Sequence, residues 1–233
     1  MVLQYIKNPP LNVAEAAIEN EARAIQFLPD PPADLAKKAI CKSWANLEYI
    51  HNPSRELITP ALSYSGWAIK YVRDPDEALQ LEAVKKNFDA VKYIDNPSQE
   101  IQEAAAAQSY AALRYIDDPV FSAEALAVKN DEQALRFIKN LTTEKFISLF
   151  KINSLILKYM PPNFAIAVDA VEDALRQVIG SEEIDEKYIR DLLNNHSIGR
   201  TVSTMPIDVI ALIDEYGSPK ARRITVDEKL KFT

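Results

Sequence analysis

Glycine is scarce in this chain, with four residues in 233. That leaves little material for tight β-hairpins or for the glycine-rich loops that cradle phosphate groups. Cysteine and histidine are scarcer still, at one and two residues. The single cysteine, Cys41, forms no internal disulfide and fits a reducing compartment. One cysteine and two histidines also fall short of the usual Cys/His set of a zinc site. No run of residues approaches the apolar length of a membrane span, and Met1 leads into patterned sequence without a charged-then-apolar leader. These absences point to a cytoplasmic protein that needs no cofactor. Net charge is −7 and the pI about 5.0, whereas nucleic-acid binders are usually basic over a whole face.

What the chain does have is periodicity. An aromatic residue returns every 22 positions at Tyr5, Phe27, Tyr49, Tyr71, Tyr93, Tyr115, Phe137 and Tyr159. An aliphatic follows each (Ile6, Leu28, Ile50, Val72, Ile94, Ile116, Ile138, Met160), and another precedes it by two (Leu3, Ile25, Leu47, Ile69, Val91, Leu113, Leu135, Leu157). Alanine recurs three before it, at Ala24, Ala68, Ala90, Ala112 and Ala134. These offsets make one helical stripe. Four residues after the aromatic comes proline, from Pro9 to Pro119, preceded each time by Asn or Asp. That pair reads as a helix start, with Asn or Asp as N-cap and proline at the first helical position. A helix of about ten residues then carries Val13, Leu35, Leu57, Leu79 and Ile101, and one turn later Ala17, Ala39, Ala61, Ala83, Ala105 and Ala127. Small side chains at that slot let neighbouring helices approach closely.

Self-similarity at this period is the mark of a stacked repeat protein, in which each unit buries its apolar face only against its neighbours. The expected fold is all-α: an α-solenoid of about seven two-helix 22-residue repeats over residues 1–162. Residues 163–233 then form an irregular helical cap with a basic tail. The register weakens after Phe137, where Leu141 replaces proline and Leu149-Phe150 replaces the small-plus-aliphatic pair. Beyond Pro161-Pro162 helices are expected over 164–179, ended by Gly180, over 182–195, and from Thr204 to before Gly217. The tail 220–233 is basic and β-leaning, either a disordered end or a short strand that pairs on assembly. It marks this region as a route to homo-oligomers.

Units such as Ala68-Ile-Lys-Tyr-Val-Arg-Asp-Pro75 and Ala90-Val-Lys-Tyr-Ile-Asp-Asn-Pro-Ser98, joined by Ala83-Val-Lys-Lys-Asn87, resemble a family of short α-helical repeats, HEAT-like in kind, found in bacterial, phage and giant-virus proteins. The resemblance covers residues 1 to about 162. It implies an α-solenoid and a mobile-element setting, and it implies no activity, because the family carries none that is agreed.

Two surfaces stand out as candidates. The position before the aromatic, opposite the apolar stripe at about 100° per residue, reads Gln4, Gln26, Glu48, Lys70, Lys92, Arg114, Arg136, Lys158. Five consecutive cations share that outward slot, and Arg73 and Lys139 lie three residues beyond Lys70 and Arg136. Stacking would space them at about 10 Å, comparable to the Debye length, so their repulsion is partly screened. Such a row suits an acidic partner surface or a phosphate backbone. The competing reading is that Lys and Arg are simply good helix formers on a solvated face. The second surface is aromatic: Trp44, Tyr64, Trp67, Phe88 and Tyr110 fall at the turn between the two helices. Exposed together they would form an anchor patch, with Trp44 and Trp67 its centre; otherwise they close the edge of the core.

Catalytic constellations are thin. His51 shares its slot with Lys7, Arg73 and Asp95, His196 lies near a helix end, and Cys41 has no histidine near it in sequence. Asp169, Glu172 and Asp173 read as a polar stripe. The sequence therefore favours a non-enzymatic interaction protein, a scaffold, inhibitor or adaptor that grips a protein partner along its length. The alternative is a nucleic-acid-binding helical-repeat protein of the HEAT-like glycosylase type.

Overall fold

Helices α1 (Leu11–Asn20), α2 (Ala33–Lys42), α3 (Arg55–Tyr64), α4 (Glu77–Lys86) and α5 (Gln99–Gln108) each begin 22 residues after the last. Each is followed by a short 3₁₀ helix, at Ala22–Phe27, Trp44–Tyr49, Gly66–Tyr71, Phe88–Tyr93 and Tyr110–Tyr115. The computed structural model describes residues 3–199 and 205–231. It is all-helical, and among the described residues the one extended pairing is an isolated bridge between Ile198 and Met205. The chain divides into two compact units at Val120/Phe121, inside the periodic region.

In the first unit the α-helices pack against one another as one layer and the 3₁₀ helices as a second. The expected ladders form the core between them. Leu35, Leu57, Leu79 and Ile101, then Ala39, Ala61, Ala83 and Ala105, then Ile40, Leu62 and Val84 are all buried. Alanine at the tightest slot keeps the α layer closely spaced, as its small volume predicts.

The aromatic-bearing segment departs from the expected α-helix. It is a 3₁₀ helix, with 3.0 residues per turn, so residues three apart eclipse one another. The segment thus carries three columns. Ala90 stacks under Tyr93 and Val91 under Ile94; Ala90, Val91 and Ile94 are buried, while the Tyr93 ring reaches solvent. The third column holds the position four before the aromatic together with the position just before it, and it faces solvent. A polar residue absent from the sequence reading opens each of these segments: Glu21, Ser43, Ser65, Asn87 and Ser109, and in the second unit Asp131 and Asn153. Its extended backbone breaks the α-helix. At Ser65, Ser109, Asp131 and Asn153 the side chain also accepts the N–H two residues on.

The Asn/Asp-Pro pair is likewise not the helix cap. Asn52, Asp74 and Asn96 of these pairs, and Asn140 where Leu141 replaces the proline, sit at φ near +50°, the left-handed region that Asn and Asp tolerate best among residues with a Cβ. They make the turn, and the α-helix starts two residues after the proline. The capping residue is the one after proline: Asp76 Oδ1 accepts from Leu79 N at 2.9 Å. That bond, with Arg55 2.7 Å away, holds the Asp76 carboxyl below its ordinary range. Pro10, Pro32, Ser54 and Ser98 occupy the same cap position without a side-chain bond.

Carbonyls left unpaired at the C-termini of α1 and α4 are met from the next repeat. Lys42 donates to Ile18 O at 3.3 Å, and Gln108 to Val84 O at 2.7 Å. Inside the first unit these bonds tie repeat to repeat where apolar packing ends.

The second unit opens with two more helix pairs, α6 (Phe121–Asn130) with Glu132–Phe137, and α7 (Thr143–Phe150) with Ser154–Tyr159. Here Phe146 and Phe150 stack at 6.3 Å and Phe164 closes on Phe146 at 5.4 Å, so bulk replaces the alanine ladder. Helices α8 (Val168–Ile179), α9 (Glu186–Leu193), α10 (Val209–Tyr216) and α11 (Pro219–Leu230) follow. Thr204, the expected start of the third C-terminal helix, lies outside the described residues, and the helix begins later than expected, at Val209, because Asp208 caps it by accepting from Ala211 N at 3.1 Å. The tail read as disordered or strand is helical: Ser218 caps Ala221 N at 3.2 Å, Pro219 takes the first turn, and Ile224 and Thr225 are buried. Start signals and an Arg190–Glu228 ion pair outweigh the β-branched run Ile224-Thr225-Val226.

Tyr188 anchors α9 by donating to Phe150 O at 3.0 Å. Burial pushes its phenol well above the ordinary 10.0. In the unfolded chain the phenol ionises near pH 10 while the native one keeps its proton, so the unfolded state binds fewer protons and stability must fall as pH rises above about 10. Tyr188→Phe should remove this share of the alkaline loss and cost about 1–2 kcal/mol at neutral pH by orphaning the carbonyl. Urea melts of both proteins at pH 7 and pH 10.5 check it; identical alkaline losses would place Tyr188 in contact with water.

Candidate interaction surface

The outward column of the 3₁₀ layer carries the cations. With about 120° per residue in place of 100°, the slot before the aromatic still faces outward, and Lys70, Lys92 and Arg114 in the first unit and Arg136 and Lys158 in the second are all exposed. Within the first unit these cations are held against rings. Lys70 Nζ lies 4.5 Å from the Tyr71 ring centroid and 6.0 Å from that of Trp44, one repeat earlier. Lys92 Nζ faces three rings, Tyr93 at 4.9 Å, Trp67 at 5.4 Å and Tyr115 at 5.8 Å. Arg114 lies 6.0 Å from Tyr115. Each such contact contributes about 0.5–1 kcal/mol at an exposed site, so these cation positions are favoured over free rotation.

The two surfaces that the sequence offered separately therefore meet. Trp44 and Trp67 pack edge to face at 6.5 Å, and Trp44 lies 6.4 Å from Tyr71. Trp67 and Lys70 share the outward column, which leaves Trp67 39% exposed; Trp44, one position earlier in its own segment, is half-buried. Phe88 and Tyr110 stand at the same slot as Trp44 and are half-buried too, while Tyr64, the last residue of α3, is 56% exposed and belongs to no ring contact with this row.

Asp89 is the residue the sequence reading missed. It occupies the outward column three before Lys92, where it accepts from Trp67 Nε1 at 2.7 Å and pairs with Lys92 at 3.3 Å. Desolvation works against the Lys92 charge, but Asp89 outweighs it and the pKa is raised. Lys70 is raised by its contact with the Tyr71 hydroxyl, with Glu48 adding to the effect. Both remain cationic through the physiological range. The signal was present as an acid at i−3 from the cation, a spacing at which helical side chains face one another.

Arg73 is exposed and stands apart from the ring contacts, beside a groove lined by Glu48, Tyr49, His51 and Tyr71. In the second unit Arg136 lies 4.5 Å from the Tyr159 ring, and Lys139 is exposed with its carbonyl accepting from Lys145 at 3.3 Å. Cys41, His51 and His196 are all exposed. Among the described residues no helix is long and apolar enough to cross a membrane. Comparison with known protein families, curated proteins and solved structures found no match.

Proposed function

We propose that this chain is a non-catalytic binding protein that takes an acidic protein surface on the outward column of its first unit, through Lys70, Lys92 and Arg114 with Trp67 as the apolar anchor. The observation that carries the reading is Lys92 held among three rings and a carboxylate. A cation already ordered loses little conformational entropy on meeting a carboxylate, and an exposed Trp beside it supplies the desolvated contact area that dominates interface energy. Arg73 adds a peripheral steering charge in the first unit, and Arg136, Lys139 and Lys158 hold the equivalent repeat slots in the second unit. The mobile-element setting rests on the family resemblance alone.

Affinity capture with the full chain should return one stoichiometric protein, identified by mass spectrometry, and Lys92→Glu with Arg114→Glu should release it. Retention of the partner by that double variant would remove this surface from the reading. The interleaving of rings and cations also suits a single-stranded nucleic acid, whose bases stack on aromatics while cations follow the backbone. A mobility shift with DNA or RNA at low salt, weakened by the same charge reversals, would replace the protein partner with that one.

A further inference from the structure

Two ladders run side by side on the 3₁₀ layer of the first unit. The slot before the aromatic places one cation in each of three successive repeats, Lys70, Lys92 and Arg114, and the next slot places one ring, Tyr71, Tyr93 and Tyr115. The cations are exposed, and Tyr93 and Tyr115 are each 39% exposed. Each cation lies against the ring of its own repeat, Lys70 at 4.5 Å, Lys92 at 4.9 Å and Arg114 at 6.0 Å, so charge and ring keep the same register from repeat to repeat. A ligand that follows this surface meets one positive charge and one ring at every step. The α layer behind sets the length of that step. Helices α3, α4 and α5 pack side by side with Ala61, Ala83 and Ala105 buried, and axes of packed helices lie about 8–10 Å apart, so the ladders advance by about 9 Å per repeat. An extended strand shows the same face every two residues, about 6.6 Å, and falls about 5 Å short by the third contact. An α-helix returns to the same face most nearly after seven residues, about 10.5 Å, and overshoots by about 3 Å. A polyproline II helix returns after three residues, about 9.3 Å, and stays within about 1 Å over all three contacts.

We propose, building on the reading of this column as the site of an acidic protein partner, that the bound segment of the partner is an acidic polyproline II helix with Asp or Glu at every third residue and proline beside it. One of its three columns meets Lys70, Lys92 and Arg114, one repeat per turn. The adjoining column of prolines lies on the exposed rings of Tyr93 and Tyr115, the contact by which aromatic-lined surfaces take proline-rich segments. The third column faces water. Such a chain is already extended before it binds and so loses little conformational entropy on docking. Asp89, one 3₁₀ turn before Lys92 and paired with it at 3.3 Å, repels a second row of acids and keeps the acidic column over the cation end of each segment.

The test titrates the full chain with three end-blocked peptides of equal charge: four Pro-Pro-Glu triplets, the same composition with its glutamates in adjacent pairs, and an alanine-rich helix with glutamate at every seventh residue. Trp44 and Trp67 are the chain's two tryptophans, so intrinsic fluorescence reports on this surface, with calorimetry as the second readout. The triplet peptide should bind about tenfold more tightly than either of the others. Lys92→Glu should abolish that preference. Lys92 is exposed, so the variant should keep the parent's thermal midpoint; if it melts early, Arg114→Gln reads the same ladder one repeat on and should reduce the preference. Equal binding of the paired-glutamate peptide, tighter binding of the helical peptide, or no binding of the triplet peptide at any soluble concentration would overturn the proposal. Failure here, with a captured partner still released by Lys92→Glu and Arg114→Glu, leaves the acidic partner in place and removes only its polyproline form. A partner retained by that double variant removes both.

Discussion

Gly66→Ala is expected to lower the stability of the first unit by about 2–3 kcal/mol, a fall in thermal midpoint on the order of 10 °C. A Cβ on Gly66 would overlap the carbonyl oxygen of Ala83 and lie 3.0 Å from its carbon and 3.2 Å from Asn87 N. These are backbone atoms of α4 and of the break that follows it, and they do not move aside as a side-chain tip does. The glycine N–H also donates to Asn87 Oδ1 at 2.8 Å, a bond that a shift of α4 would break. The same slot holds Trp44, Phe88 and Tyr110 in other repeats, so the close approach of this 3₁₀ segment to the end of α4 depends on the missing side chain. Differential scanning calorimetry of the variant tests this; an unchanged midpoint would mean that α4 can adopt the wider spacing freely.

Lys145→Met should cost about 3 kcal/mol or more, and most of that loss should return when Glu124→Gln is added. Glu124 is wholly buried, and Lys145 Nζ sits 3.0 Å from one carboxylate oxygen and 2.9 Å from the other. Methionine keeps the packing of the lysine stem while leaving a buried carboxylate without its cation, the costly half of such a pair. Glutamine is the natural remedy, because the array uses it at this slot. Gln80 donates to Pro75 O at 2.8 Å and Gln102 to Pro97 O at 2.9 Å. Chemical denaturation of the two single variants and the double variant closes the cycle. A double variant no more stable than Lys145→Met would show that the lysine acts through its stem rather than its charge.

The ladders were legible in the sequence because burial is a repeating demand. Leu35, Ala39 and Ile40 return in kind at Leu57, Ala61 and Leu62, and again at Leu79, Ala83 and Val84, because each meets the same neighbour. The exposed cation slot was legible for the complementary reason, since nothing in the core constrains it. The 3₁₀ character of the second segment was not. Six residues with apolar pairs three apart satisfy both helix types, and the choice falls to the extended residue at Ser43, Ser65 or Asn87 and to the packing of one short segment on the next. The turn at Asn52, Asp74 and Asn96 was misread as a cap because the same side chains suit both roles; only φ near +48° separates them.

For the interaction surface, sequence supplied the cations and the tryptophans as two unrelated sets. Tertiary structure joined them, because Trp44 meets Lys70 and Tyr71 across one repeat step, and Trp67 meets Asp89 and Lys92 across the next. Those contacts depend on the offset between adjacent 3₁₀ helices, a quantity that no spacing along the chain encodes. The sequence by itself determined that this protein is a helical repeat with a fixed set of buried and exposed slots, since period and polarity are local properties of the chain. Which exposed slots touch and where the tail packs were decided only by the fold, because each follows from how one element lies against another.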